Sequence, residues 1–151
     1  MSAVESYKFV HVLAAIVWVG GAIAAQVMAL RLKHAEPAHR LGFAKDMRFV
    51  AQFLFLPAAL IGYITGELMI AEVAAFDHEQ AWVSIGTIGL GVSFLVAAAF
   101  LVPQIRKAVR LMESGQGPAA GAVIGRVSVV ARVVILILLV VVWAMVTKPG
   151  L

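Results

Sequence analysis

Four apolar runs decide what this chain can fold into: residues 7–30, 49–71, 81–102 and 119–147 each approach or exceed the ~20 residues that a helix needs to cross a hydrocarbon core. Only connectors and short tails remain, so residues 1–151 read as a single transmembrane domain. With 63% hydrophobic and 13% charged residues, the chain is too apolar for a soluble domain of its size. The expected fold is all-α, an integral membrane four-helix bundle that crosses the lipid bilayer several times. The first run is expected to stay as a span, because Glu5 and Lys8 make a weak n-region and ~22 apolar residues exceed a signal-peptide core. The chain has no cysteine, which removes disulfides, thiolate metal sites and cysteine nucleophiles.

Arginine and lysine give the orientation. The first connector carries Arg31, Lys33, Arg40, Lys45 and Arg48, and the third carries Arg106, Lys107, Arg110 and Arg126. The second connector is acidic, with Glu72, Asp77 and Glu79, and the tails add only Lys8 and Lys148. Nine cations against two predict cytoplasmic first and third connectors and both termini on the outer side. The net charge of +4 then serves topology and anionic headgroups, and nucleic acid is not an expected partner.

Pro103 followed by QIRKAVRLMES predicts that helix 3 continues out of the membrane to about residue 114, where Gly115, Gly117 and Pro118 break it. The first connector, with Pro37 and Gly42, reads as a broken or surface-lying helix. Small residues recur at four-residue spacing: Gly21 with Ala25, Ala58 with Gly62 and Gly66, Gly89 with Ser93 and Ala97, and Gly121 with Gly125. In lipid such stripes let backbones approach and collect dispersion contacts, within the bundle or across a homodimer or larger membrane complex.

Polar side chains inside spans are costly in hydrocarbon and therefore informative. At ~1.5 Å rise per residue they sort into two layers. His11, Tyr63, Thr65, Glu67, Ser84, Thr87 and Thr147 lie toward the outer side, and Gln26, Gln52 and Arg132 toward the cytoplasm. His11 and Glu67 share a depth on sequential helices, so they are predicted to approach one another. His11 and Trp18 share a helix face with Ala14, Ala15, Gly21 and Ala25. Such a face suits a planar ligand with His11 as axial donor, and it equally suits a histidine that hydrogen-bonds across helices. Glu67 can ligate a cation or snorkel. Met69 and Met145, soft donors for copper(I), lie near the same outer level, although Met69 is expected to point away from Glu67 around the helix. Arg132 is deep enough to meet an anionic group, a haem propionate or a lipid phosphate, or to snorkel. Trp82 and Trp143 read as interfacial anchors. No phosphate-binding loop, dinucleotide fingerprint, nucleophile elbow or two-histidine helix motif is present.

The run YKFVHVLAAIVWVGG at residues 7–21 and the ending WAMVTKPG resemble a family of small bacterial four-helix integral membrane proteins of unassigned function. That resemblance spans nearly the whole chain and implies a bacterial inner-membrane location. The first-helix pattern of histidine, tryptophan seven residues later and Gly-Gly also resembles the membrane domain of copper-resistance D-type proteins and, more loosely, HemJ-type protoporphyrinogen oxidases. In the latter a first-helix histidine is associated with haem b, which the resemblance carries over to His11 alone, with Trp18, Gly20 and Gly21 in support. HemJ-type proteins also hold an intramembrane lysine tied to activity; helix 3 has no internal lysine, so that oxidation is not carried over.

The leading expectation is a haem b-binding inner-membrane protein with a redox or haem-handling role, His11 as axial ligand, and Trp18 and Gly21 against the ring. The alternatives are a copper or small-cation transport protein using His11 and Glu67 or the outer methionines, and an accessory subunit of a larger membrane complex.

Overall fold

The computed structural model describes residues 2–149 and consists of four long helices, with no strand among the described residues. They are α1 (Ala3–His34), α2 (Pro37–Glu72), α3 (Ala81–Glu113) and α4 (Gly117–Thr147). The helices are 31 to 36 residues long. At ~1.5 Å per residue each outlasts a hydrocarbon core of ~30 Å by several turns. The bundle thus has two distinct ends: a termini end with the acidic α2–α3 loop, and a basic end with the other two connectors.

Local chemistry starts and stops these helices. Ser2 and Glu5 form a reciprocal capping box, with Glu5 N donating to Ser2 Oγ at 3.2 Å and Ser2 N donating to Glu5 Oε2 at 2.7 Å. Pro37 opens α2, where its missing N–H has no cost. The α3–α4 turn relies on Gly115 at φ +74, a conformation open to glycine. The broken or surface-lying helix expected of the first connector is corrected here. From Pro37 the charged segment runs unbroken into the span, and only Ala35 and Glu36 separate α1 from α2. The expected extension of α3 is present and ends at Glu113.

Three spans contain one widened, π-helical turn near mid-helix: Ile16–Gly20, Ala51–Phe55 and Ala97–Leu101. In α2 and α3 the turn is followed, one residue on, by Pro57 or Pro103. A proline removes an i→i−4 bond and crowds the preceding turn, and a local change of pitch relieves both. In α1 the turn runs into the Gly20–Gly21 pair.

The helices pack around a closed ring. The first half of α1 lies along Leu56–Glu72 of α2, α2 also meets α3, α3 lies along α4, and Gly21–Arg31 of α1 returns to α4. Trp18, Ala58, Ala59, Val134 and Leu138 form the central core. Phe9, Phe53, Leu95, Leu136 and Val146 are all more than 60% exposed and face the lipid. Hydrophobicity cannot drive helices together there, so close contact must. A Cβ at Gly62 would stand 3.6 Å from the Ala14 Cβ, and one at Gly89 would collide with the Val141 methyl. The Gly121 and Gly125 stripe behaves differently, because a Cβ at either would meet nothing within 4 Å. Trp82 is not the lipid-facing anchor expected; it is buried at 5% exposure, edge-on to Phe76 and under Lys148, whereas Trp143 is exposed.

Candidate functional site

His11 is half-buried and faces α2. Its Nδ1–H donates to the Gly62 carbonyl at 2.7 Å. A carbonyl oxygen can only accept, so this bond fixes the proton on Nδ1 and leaves the Nε2 lone pair free in the neutral ring. Thr65 Oγ1 gives its own proton to the Ile61 carbonyl at 2.7 Å and stands 3.4 Å from the same Nδ1. The imidazole can lie this close because residue 66 is glycine: a Cβ there would be 3.3 Å from His11 Cε1. Gly62, Thr65 and Gly66, one turn of α2, therefore orient the ring.

Glu67 is held separately. Thr87 Oγ1 of α3 donates to its Oε1 at 3.2 Å, and His78 Nε2 of the α2–α3 loop stands 3.3 Å from its Oε2, an ion pair when His78 is protonated. The sequence predicts that His11 and Glu67 come within hydrogen-bond or single-water reach. No hydrogen bond joins them among the described residues, but both line one cavity of about 50 Å³ at the termini end. One buried water needs at least ~10–15 Å³ on this measure, so the cavity has room for water or a small ion. Tyr63, Met69 and Met145 line it as well. Met69 and Glu67 thus share a cavity, contrary to the expectation from ideal helical angles, because the space lies between α1, α2, α3 and α4. Met145 reaches it over Gly86, whose missing side chain accommodates the Met145 methyl. Among the described residues no three His, Asp or Glu side chains cluster as a metal site.

Trp18 does not share this cavity. With Gln26, Ser128 and Arg132 it lines a second, larger one of about 480 Å³ in the basic half of the bundle. Gly21 faces neither cavity, since the Phe55 ring fills the space a Cβ would need. The face that the sequence offered as one flat slot is therefore divided between a packed helix contact and two separate cavities.

The model of the family described as "Predicted integral membrane protein (DUF2269)" matches residues 5–149. The chain belongs to that family. No curated protein and no solved structure matches the chain. Membership in DUF2269 makes the four long helices membrane spans. The cavities of this DUF2269 chain accordingly lie one toward each face of the bilayer.

Sequence reasoning found His11, Thr65, Glu67 and Thr87 as a layer but missed the Gly62 carbonyl, which has no side-chain signal. It also missed the large basic-end cavity. The available signals were Gln26 and Arg132 at one depth, and a glycine stripe on α4 with nothing packed on it.

Proposed function

We propose that this protein handles a small soft cation, copper(I), at the termini-end cavity. The observation that carries the reading is that one cavity of about 50 Å³ is lined by His11, Glu67, Met69 and Met145 together. Thioethers and imidazole suit copper(I), and a ligating histidine ordinarily gives its other N–H to a carbonyl or carboxylate, as His11 does to Gly62. The acidic loop, with Glu72, Asp77 and Glu79, supplies an attractive field for cations at the mouth. The location that goes with this reading is the bacterial inner membrane, with the basic end in the cytoplasm and the cavity opening outward.

Haem b at His11 is the competing reading. The imidazole fits as a donor, since its Nε2 is free, and a bound haem would supply redox chemistry there. The space does not fit: pockets for ligands of that class run to ~300 Å³ or more, and the wall formed by Ala14 and Gly21 is packed against Gly62 and Phe55. An accessory subunit, docked through its lipid-facing surface as a homodimer or in a larger complex, is the third.

Purified protein separates them. Competition with a chromophoric copper(I) chelator under reducing conditions should give one site, weakened at least tenfold in Met145→Leu and more in His11→Ala. A Soret band that shifts on dithionite reduction and vanishes in His11→Ala would give the site to haem instead. Colourless protein with equal copper content in wild type and His11→Ala would leave the accessory role.

A further inference from the structure

We infer that the basic-end cavity is a binding site for an anionic phospholipid, which enters by its acyl chain and is held by its phosphate. The inference is independent of the copper reading, because the two cavities share no lining residue.

Three observations carry it. The first is size. At about 480 Å³ the cavity falls within the range of sites that hold an extended organic ligand, ~300–1,000 Å³, in a bundle whose opposite half leaves about a tenth of that space. The opening has a structural cause. All three π-helical turns border it through Trp18, Phe55 and Leu101, and on α4 the bare backbone of Gly121 and Gly125 forms the far wall.

The second is charge. Arg132, Lys33 and Arg40 line the cavity, and no aspartate or glutamate does. Neither ion pair among the described residues involves any of the three. Arg132 lies six residues inside the last basic residue of the connector, Arg126, on a helix whose following residues are wholly apolar to Thr147. A guanidinium at that depth is costly without a counter-charge, and phosphate is the anion its planar fork matches.

The third is an unmet polar group. Gln26 donates from Nε2 to the Ser128 carbonyl at 3.4 Å, and its Oε1 is buried with no protein partner. Gln26 lines the cavity, and a turn of its side chain presents that buried oxygen to the hydroxyls of a glycerol headgroup, donors of the right kind. Basic cavities between transmembrane helices at the positively charged face are where anionic headgroups bind. The walls are apolar elsewhere, which suits a chain rather than a soluble anion. Free phosphate would satisfy Arg132 but leave those walls unfilled.

The full chain, purified in mild detergent and delipidated, tests this by native mass spectrometry with phosphatidylglycerol, phosphatidylcholine of the same chains, or inorganic phosphate added back. Wild type should retain phosphatidylglycerol roughly tenfold better than phosphatidylcholine, about 1.4 kcal/mol, because the choline cation of the latter neutralises the same phosphate and is repelled by Arg132, Lys33 and Arg40. Arg132→Gln should abolish that preference and Arg132→Lys should keep most of it. Gly125→Leu, which projects a side chain into open space, should lower retention of both lipids about equally. Gly121→Val repeats that test should Gly125→Leu fail to fold. Equal retention of the two lipids by wild type, or retention unchanged in both Arg132→Gln and the glycine variants, overturns the site. Displacement of the lipid by inorganic phosphate at equal concentration also overturns it, since the chain would then contribute nothing.

Discussion

The two halves of the bundle use the same four helices, yet one closes and the other opens. Toward the termini, α1 meets α2 at Ala14, Gly62 and Gly66, and α3 meets α4 at Gly86 and Gly89, so side chains of one helix seat on the bare backbone of the next and about 50 Å³ remains. Toward the basic end the π-helical turns change the helical phase, Gly121 and Gly125 meet no neighbour, and about 480 Å³ remains. Glycine therefore has two opposite meanings: at Gly62, Gly66, Gly86 and Gly89 it admits a neighbouring side chain, whereas at Gly121 and Gly125 of α4 it leaves room for something that is not protein. The polar groups divide in the same way. Donors with lone pairs gather in the tight half, cations in the open one.

The largest expected effect is at the tight end. Under the copper reading His11→Ala removes the one imidazole donor among the residues that line that cavity, and affinity for copper(I) should fall about a hundredfold, ~2.8 kcal/mol at ~1.4 kcal/mol per tenfold. Arg132→Gln should leave that affinity unchanged. If both substitutions weaken copper binding alike, the halves are coupled and the division drawn above is wrong.

A matched pair of glycine substitutions comes next. Gly89→Ala drives a methyl into the Val141 side chain, whose β-branch gives it little freedom to move away, and overpacking of this kind costs ~1–3 kcal/mol. Gly121→Ala meets nothing within 4 Å, and alanine is a better helix former than glycine by ~0.5–1 kcal/mol, so that variant should be neutral or more stable. Thermal unfolding in detergent, both variants side by side, reads the difference. Equal destabilisation would mean that the α4 stripe is covered by a partner.

What could be read from the sequence follows the same line. The four spans were legible because apolar runs of that length have no other stable setting, and so was the α3 extension, since Pro103 is followed by a strongly amphipathic stretch that buries Val102, Ala108 and Val109. Helix in the first connector was expected, but its unbroken run from Pro37 into the span was not, because Gly42 and the charges at Arg40, Lys45 and Arg48 look like an interruption until the α3 extension lies alongside. The polar layer of His11, Thr65, Glu67 and Thr87 followed from depth alone. Its pairing did not, since Gly62 acts through a backbone carbonyl and Met69 reaches the cavity from a neighbouring face. Trp82 was misread because its burial is made by Phe76 and Lys148, contacts that no periodicity encodes.

A smaller effect is expected at Ser93, which is fully buried on α3 with an Oγ that has no partner. Removing an unsatisfied hydroxyl while keeping its neighbours packed is nearly neutral or stabilising. Ser93→Ala should therefore match or exceed wild type in thermal unfolding, whereas a drop of several degrees would reveal a bound water on that hydroxyl.

The smallest effect belongs to the one ion pair among the described residues that joins two of the helices at the basic end. Lys45 Nζ lies 2.8 Å from Glu113 Oε1, with both side chains about half exposed, and joins the α2 extension to the end of α3. The hydrogen bond from Lys45 and its charge, with a lesser contribution from Arg48, hold the Glu113 carboxyl below its ordinary range. A carboxyl depressed in the folded state contributes stability that is present above its unfolded value and is lost as pH falls through the folded one. The sign is therefore fixed: acidification should loosen this contact, and raising the pH from neutral should not strengthen it. Water and salt screen a pair this exposed, so the contribution is slight and falls with ionic strength. A carbon-detected titration of Glu113 should show the depressed carboxyl, and Lys45→Met should return it to the ordinary range with little change in unfolding temperature. A large loss of stability in Lys45→Met would instead make the basic-end extensions a structural clamp on the open cavity beneath them.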